Sequence, residues 1–279
     1  MAQPTPSLYA LDPALPVLLR PDGAVQVGWS PRRAVLIRPP RGVTASRLAT
    51  LLRVMHSPVP LSELRRQPSG LNDGELRDLV QQLVTVGVVT RGARQRSARS
   101  ASIRVHGRGP LSDLLTEGLR CSGARVKQSN QPHAAVTSAD ADLVVLSDNL
   151  VVDPRMLREL HSQGVAHLAV RVRDGTGLVG PLVVPGVTSC LGCADLHRRD
   201  RDAGWPAIAA QLRDTVGVAD RATLLATAAL ALSQVNRVIG AVRGIESEPP
   251  AALSATLEFD VHAGSIVARQ WPKHPLCSC

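Results

Sequence analysis

The chain has 279 residues, 44% of them hydrophobic, which is enough apolar material for a full core and more length than one domain commonly needs. Aromatic residues make up only 2%, with one Tyr and one Phe, so the core must be aliphatic, and this argues against single-stranded nucleic-acid binding by base stacking. The formal charge of +9 is carried almost wholly by Arg in an Ala- and Gly-rich chain, a balance that suits an anionic partner and is equally explained by genomic composition.

The start, MAQPTPSLYALDP, reads as a short Pro-rich lead-in without signal-peptide form. No apolar run looks long enough for a bilayer, so a cytoplasmic protein without membrane association is expected. From Pro16 to Pro39 three apolar-alternating runs, PVLLR, AVQVGW and RAVLIR, predict an antiparallel meander. Helical periodicity follows. Thr44 caps a segment with Leu48, Leu51, Leu52 and Met55 on one face, PLSELRR makes a short helix, and Asn72 or Asp73 caps ELRDLVQQLVTVG, which Gly87 stops. Three strands and three helices over residues 1–92 amount to a winged-helix-like module, and ARQRSARSAS over 93–102 reads as a linker.

Residues 103–279 change to alternating strand and helix. Strands are expected at Ile103 to His106, Ala124 to Lys127, Asp142 to Leu146, VAHLAVRVR and LVGPLVVPG. Helices are expected at Leu111 to Cys121, Pro154 to Gln163, Trp205 to Gln211 and Arg221 to Ile239, and SATLEFDVHAGSIVARQW closes the chain as a hairpin. The fold class is α/β, with an antiparallel end to the sheet.

Three motifs carry chemistry. VHGRGPLS has the strand, glycine turn and helix of a nucleotide fingerprint, with Gly107 and Gly109 in the first two glycine places. Ser112 stands in the third, Pro110 lacks an N–H for phosphate, and VKQSN supplies no ribose-binding acid, so a fossil nucleotide fold is expected. DLVVLSDN puts Asp148 and Asn149 just past a buried strand, where an Asp holds magnesium or ribose, or simply makes a turn or helix cap. Cys190 and Cys193 form one tight pair and Cys277 and Cys279 another, the pattern of a tetrahedral structural zinc site. His197 and His274 are substitute ligands, and a disulfide or unliganded thiols are the alternative.

Taken together, DLVVLSDN, GLVGPLVVPGVTSCLGC and the terminal HPLCSC resemble the ThiF-like, ubiquitin-activating-enzyme-like adenylation fold. In that family an Asp-Asn pair closes a central strand, a glycine-containing strand leads into a CxxC, and a second cysteine pair completes a zinc site. The N-terminal module looks like the peptide-recognition element of PqqD type. The combination is similar to the "C protein" of azole and azoline (TOMM) biosynthesis, a leader-peptide-binding cyclodehydratase component that works with a YcaO-type enzyme. Active adenylating members carry an Asn-Leu-x-Arg-Gln stretch and a Lys that act on ATP phosphates, whereas KQSNQPHAAVTSADA between Val126 and Asp142 contains no arginine. Asp148 carries over as the magnesium-side acid; the arginine and lysine do not.

The resemblance therefore implies a degenerate Rossmann-like, ThiF-type domain with structural zinc. Gly107, Gly109 and Asp148 would be a vestigial nucleotide site that does not use ATP. The expected activity is non-catalytic: a precursor peptide would add beside RAVLIR, lined by Val35 and Ile37 of that strand and by Leu76, Leu79, Val80 and Leu83 of the following helix. Expected partners are that peptide, a YcaO-type enzyme, or a second copy of the chain. The alternatives are a ThiF-type ATP-dependent adenylating enzyme and a winged-helix DNA-binding protein. The latter is disfavoured because LRDLVQQLV offers acids and glutamines where a reading helix needs cations.

Overall fold

A computed structural model describes residues 7–93, 99–130, 137, 139–245 and 248–279. Much of the ARQRSARSAS stretch (94–98) and of KQSNQPHAAVTSADA (131–136 and 138) lies outside the described residues. The chain divides into two compact units, Met1–Ser97 and Ala98–Cys279.

In the first unit β1 (Ser7–Leu11) opens the described chain, and β2 (Val17–Leu19), β3 (Val25–Val27) and β4 (Val35–Ile37) form the expected antiparallel meander, with β4 at its edge. Helix α1 (Ala45–Val54) starts where Thr44 Oγ1 accepts the N–H of Arg47, and β5 (Val59–Pro60) leads into the short α2 (Leu61–Leu64). Helix α3 (Asp73–Thr85) is fixed by a reciprocal capping box: Asn72 Oδ1 accepts from Gly74 and Glu75, and Glu75 Oε2 accepts from the Asn72 N–H. Strand β6 (Val89–Ala93) then pairs antiparallel with β1, which also pairs with β5.

The lead-in reading of residues 1–13 is thus corrected from Ser7 onward. SLYAL is too short to show a clear two-residue period, and its pairing partners lie about fifty and eighty residues further on. Leu48, Leu51, Leu52, Met55, Leu76, Val80 and Leu83 meet Leu11, Val25 and Val27 in one aliphatic core, as a chain poor in aromatics requires.

The second unit is built on β7 (Ser102–His106), α4 (Pro110–Cys121), β8 (Arg125–Ser129), β9 (Leu143–Ser147), α5 (Pro154–Ser162), β10 (His167–Arg173) and β11 (Thr176–Val183). It continues through α6 (Leu191–Arg201), α7 (Trp205–Leu212), α8 (Arg221–Val242), β12 (Ala255–Asp260) and β13 (Ser265–Gln270). Its seven-stranded sheet has the order β13-β12-β11-β10-β9-β7-β8, parallel from β8 to β10 and antiparallel from β10 to β13. Alternate residues of each central strand go to opposite faces. Leu143 and Val145 of β9 join α4 and α8 in the larger core, while Val144 and Leu146 pack with Met156 and Leu160 of α5 and with Cys190 and Cys193.

Helix α8 is 22 residues long and, by length and composition, meets the criterion for a membrane span, which corrects the expectation that no such run exists. Here it packs against β10, β11 and α4, burying Leu224, Ala228, Ala231, Val235 and Ile239 in the sheet's core.

Candidate functional site

The CxxC spacing is explained by the start of α6. Cys190 is the N-cap, and its Sγ accepts the N–H of Cys193 at 3.4 Å, so both sulfurs lie on one side of the first turn. The C-terminal tail comes to the same place. Cys190 Sγ is 3.9 Å from Cys193 Sγ and 3.6 Å from Cys277 Sγ, and Cys193 Sγ is 3.4 Å from Cys279 Sγ. All four sulfurs lie within 4.8 Å of one another. A tetrahedron with metal–sulfur bonds of about 2.3 Å has edges of roughly 3.8 Å, so the donor set and its spacing fit zinc. All four cysteines are free thiols, at separations unlike a disulfide.

The tail is held by more than sulfur. The backbone N–H of His274 donates to Cys193 Sγ (3.3 Å), Lys273 Nζ donates to Gly186 O (3.2 Å), and His197 Nε2 donates to Pro272 O (3.1 Å). His274 Nε2 is 2.8 Å from Asp200 Oδ2, and its Nδ1 accepts the Leu276 N–H. His197 and His274 thus group with Asp200 rather than completing the sulfur set. Burial pushes the Cys190 thiol up. Burial also acts upward on Cys193, but hydrogen bonds from the His274 N–H, at Cys190 and with the facing thiols bring it down to about 7. Four thiols so close cannot all ionise without a cation among them.

Gly107, Gly109 and Asp148 are also brought together, in the helix-cap arrangement that the sequence offered beside a magnesium or ribose role for Asp148. Its side chain is 1% exposed; Oδ1 accepts the N–H of Leu111 (3.0 Å), and Oδ2 accepts the N–H of Ser112 (3.1 Å) and the Ser112 hydroxyl. The carboxylate is therefore the cap of α4, whose own N-cap residue, Gly109, has no side chain to offer. A Cβ on Gly109 would stand 2.6 Å from Asp148 Oδ1, and one on Gly107 would stand 2.3 Å from Ser147 O. Both glycines make room for the end of β9. A magnesium ligand faces its ion, whereas this carboxylate faces the first turn of α4. The sequence carried a signal for this cap, a buried strand ending in Asp beside a helix that begins Gly-Pro, but did not show which helix would be capped.

Of the six residues expected to line a peptide groove, Leu76, Val80 and Leu83 are each 2% exposed and belong to the first unit's own core, so they offer no surface. Leu79, Val35 and Ile37 are half-buried, and between the last two Leu36 points outward. Helix α3 packs along β6, while α1 covers β2 and β3. The described part of the expected site is thus the free edge of β4, without a facing wall made by the inward residues of α3.

The architecture, a seven-stranded mixed sheet with helices, preceded in the chain by a small two-sheet unit, is one that solved heterocyclase structures share over nearly the whole of this chain. A heterocyclase solved with substrate and cofactor superposes with a TM-score of 0.68 at 16% identity, covering 98% of this chain and 39% of that one. The heterocyclase TruD gives 0.67 at 16%, covering 98% and 42%. Escherichia coli MccB with MccA-N7isoASN gives 0.61 at 14%, covering 97% and 99%. The chain thus spans about two fifths of the heterocyclases' length and almost all of MccB. At these identities the likeness is one of fold. No family model matches the sequence, and no curated protein matches it.

Proposed function

We propose that the chain is a non-catalytic component of azole-forming peptide maturation, which recognises a precursor peptide and presents it to a YcaO-type cyclodehydratase. The observation that carries this reading is the Asp148 cap. The N–H groups at the start of α4, which a nucleotide phosphate would need, are already taken by a buried carboxylate. Pro110 removes a further donor, and the described residues around the turn add one cation, Arg108. This weighs against the ThiF-type adenylating alternative. The fold shared with heterocyclases supports the pathway.

Peptide recognition would use β4. Its outer edge is unpaired among the described residues, Leu36 is 57% exposed, and an added strand would take its main-chain hydrogen bonds there, with Val35 and Ile37 on the alternate face. Cys190, Cys193, Cys277 and Cys279 would hold a structural zinc that fastens the tail to α6; four thiolates leave no open position for chemistry on the metal.

The test uses the full chain and a fluorescent panel of extended peptides, among them the N-terminal segment of any short reading frame found beside its gene. The main chain of Leu36 faces that open edge, whereas Val35 and Ile37 pair with β3; saturable binding that Leu36→Pro abolishes, with the thermal transition kept within a few degrees, is expected, together with no saturable uptake of magnesium-ATP by calorimetry. Micromolar magnesium-ATP affinity, or peptide binding that a folded Leu36→Pro variant retains, would overturn the reading.

A further inference from the structure

The second unit holds a buried cation on β10. Arg171 lies on β10 and is 6% exposed, yet its guanidinium has no hydrogen-bond or ion-pair partner among the described residues. Guanidinium groups keep their charge in proteins, and an unpaired buried charge is among the most destabilising features a fold can carry. Burial is the main influence on Arg171, pulling it down to about 10, with Arg198 acting in the same direction and Asp195 opposing it.

Arg171 lines a cavity of about 70 Å³. Arg173, Arg198, Asp195 and Trp205 line it too, and apolar walls come from Leu150, Leu157 and Leu212. Among the described residues that line it the one acid is already engaged: Asp195 accepts from Arg198 Nη1 at 2.8 Å. Arg198 is fixed between two indoles, 5.2 Å from the Trp205 centroid and 4.9 Å from that of Trp271. Arg173 has, among the described residues, two long contacts, 3.8 Å to Asp174 and 3.9 Å to Glu258, and Glu258 is the bidentate partner of Arg269. Trp205 adds a second unmet donor, since its buried Nε1 has no partner among the described residues.

Three guanidiniums and an unsatisfied indole N–H around one carboxylate leave this cavity positive and rich in donors, while its remaining walls are aliphatic. We infer that it is a binding site for a small organic carboxylate, whose two oxygens meet the Arg171 fork and whose short apolar part lies against Leu150, Leu157 and Leu212. A guanidinium fork matches a carboxylate in two parallel hydrogen bonds, and the aliphatic wall favours an acid with a hydrocarbon end over a bare oxyanion. The volume holds several waters or a short-chain acid and is too small for a nucleotide. This inference is independent of the peptide reading.

The experiment is thermal unfolding of the full chain at fixed pH and ionic strength, with chloride exchanged for acetate, propionate or butyrate, and separately for phosphate or sulfate. The carboxylates are expected to raise Tm in a saturable way, because they bind the folded state alone. Arg171→Met is expected to have a higher Tm than the parent in chloride, since an unpaired buried charge is gone, and to lose the carboxylate response. Should that variant fail to fold, the parent answers by itself. Its three indole N–H resonances are resolvable by nuclear magnetic resonance, that of Trp205 is identified by its loss in Trp205→Phe, and it should shift saturably with added carboxylate. A parent with no saturable response, an equal response in Arg171→Met, or a response to phosphate and sulfate without one to carboxylates would overturn the assignment.

Discussion

Replacing Asp148 by Asn tests the cap without changing its shape. The parent carboxylate accepts from the N–H groups of Leu111 and Ser112 and from the Ser112 hydroxyl, all buried. An amide keeps one acceptor oxygen and turns an NH2 toward donors, so at least one hydrogen bond to a charged group, contributing about 1.5–3 kcal/mol, is lost. The interaction of the negative charge with the start of α4, about 0.3–1 kcal/mol or somewhat more when buried, goes with it. Asp148 has φ +72, a region that Asn also tolerates, so backbone strain adds little. The sum is roughly 3 kcal/mol, and in a unit of this size that lowers Tm by about 6–12 °C. Scanning calorimetry of the full chain, with urea midpoints as a second measure, reads the effect. A magnesium-side acid facing solvent would give no such loss, so a Tm within about 2 °C of the parent would refute the cap.

Gly109→Ala should act through the same carboxylate, because its methyl would lie 2.6 Å from Asp148 Oδ1; combined with Asp148→Asn it should cost clearly less than the sum of the two, as read by a double-mutant cycle in urea. Protein purified without added metal should carry one zinc per chain by elemental analysis and release it on thiol modification, and Cys193→Ser should aggregate on mild heating; metal-free protein with all four thiols freely reactive would count against the site. His167 is fully buried, its Nδ1–H donates to Val165 O at 3.0 Å, and burial pushes it down to about 4. Because the unfolded chain takes up that proton first, its contribution is present above about pH 6.5 and is lost toward pH 4, by up to about 1.4 kcal/mol per pH unit. Urea titrations across that range should show the slope, and His167→Leu should flatten it.

The meander of β2, β3 and β4, the caps at Thr44 and Asn72 and the alternation of the second unit were legible because each rests on local chemistry: turn residues, a capping oxygen, a repeating apolar position. Strand β1 was not, since its partners β5 and β6 are remote and nothing local marks five residues as a central strand. The four cysteines could be grouped from their tight pairing alone, but that Cys190 would be a helix N-cap required knowing that α6 begins there. Leu76, Val80 and Leu83 of the expected peptide groove recur at the spacing of one helix face, and in a small unit that face is needed for the core, so they present no surface. Arg171 gave no sequence signal, because an Arg in an alternating strand reads as solvent-facing until a second layer is known to cover it.

Asp148 and Arg171 sit one strand apart, joined through the backbone where the Asp148 N–H donates to Val170 O at 3.0 Å. A buried acid and a buried base so near each other would satisfy both charges by pairing, and selection for stability alone would favour that arrangement. They do not pair. The acid turns to α4 and caps its start, while the base turns to the cavity lined by Arg198 and Trp205 and has no partner among the described residues. The two choices have opposite effects on stability: the first satisfies orphan helix donors, and the second leaves a charge exposed to a low-dielectric wall. An arrangement that neutralises one end of the sheet and leaves an adjacent cation facing a cavity is what the proposed carboxylate site requires.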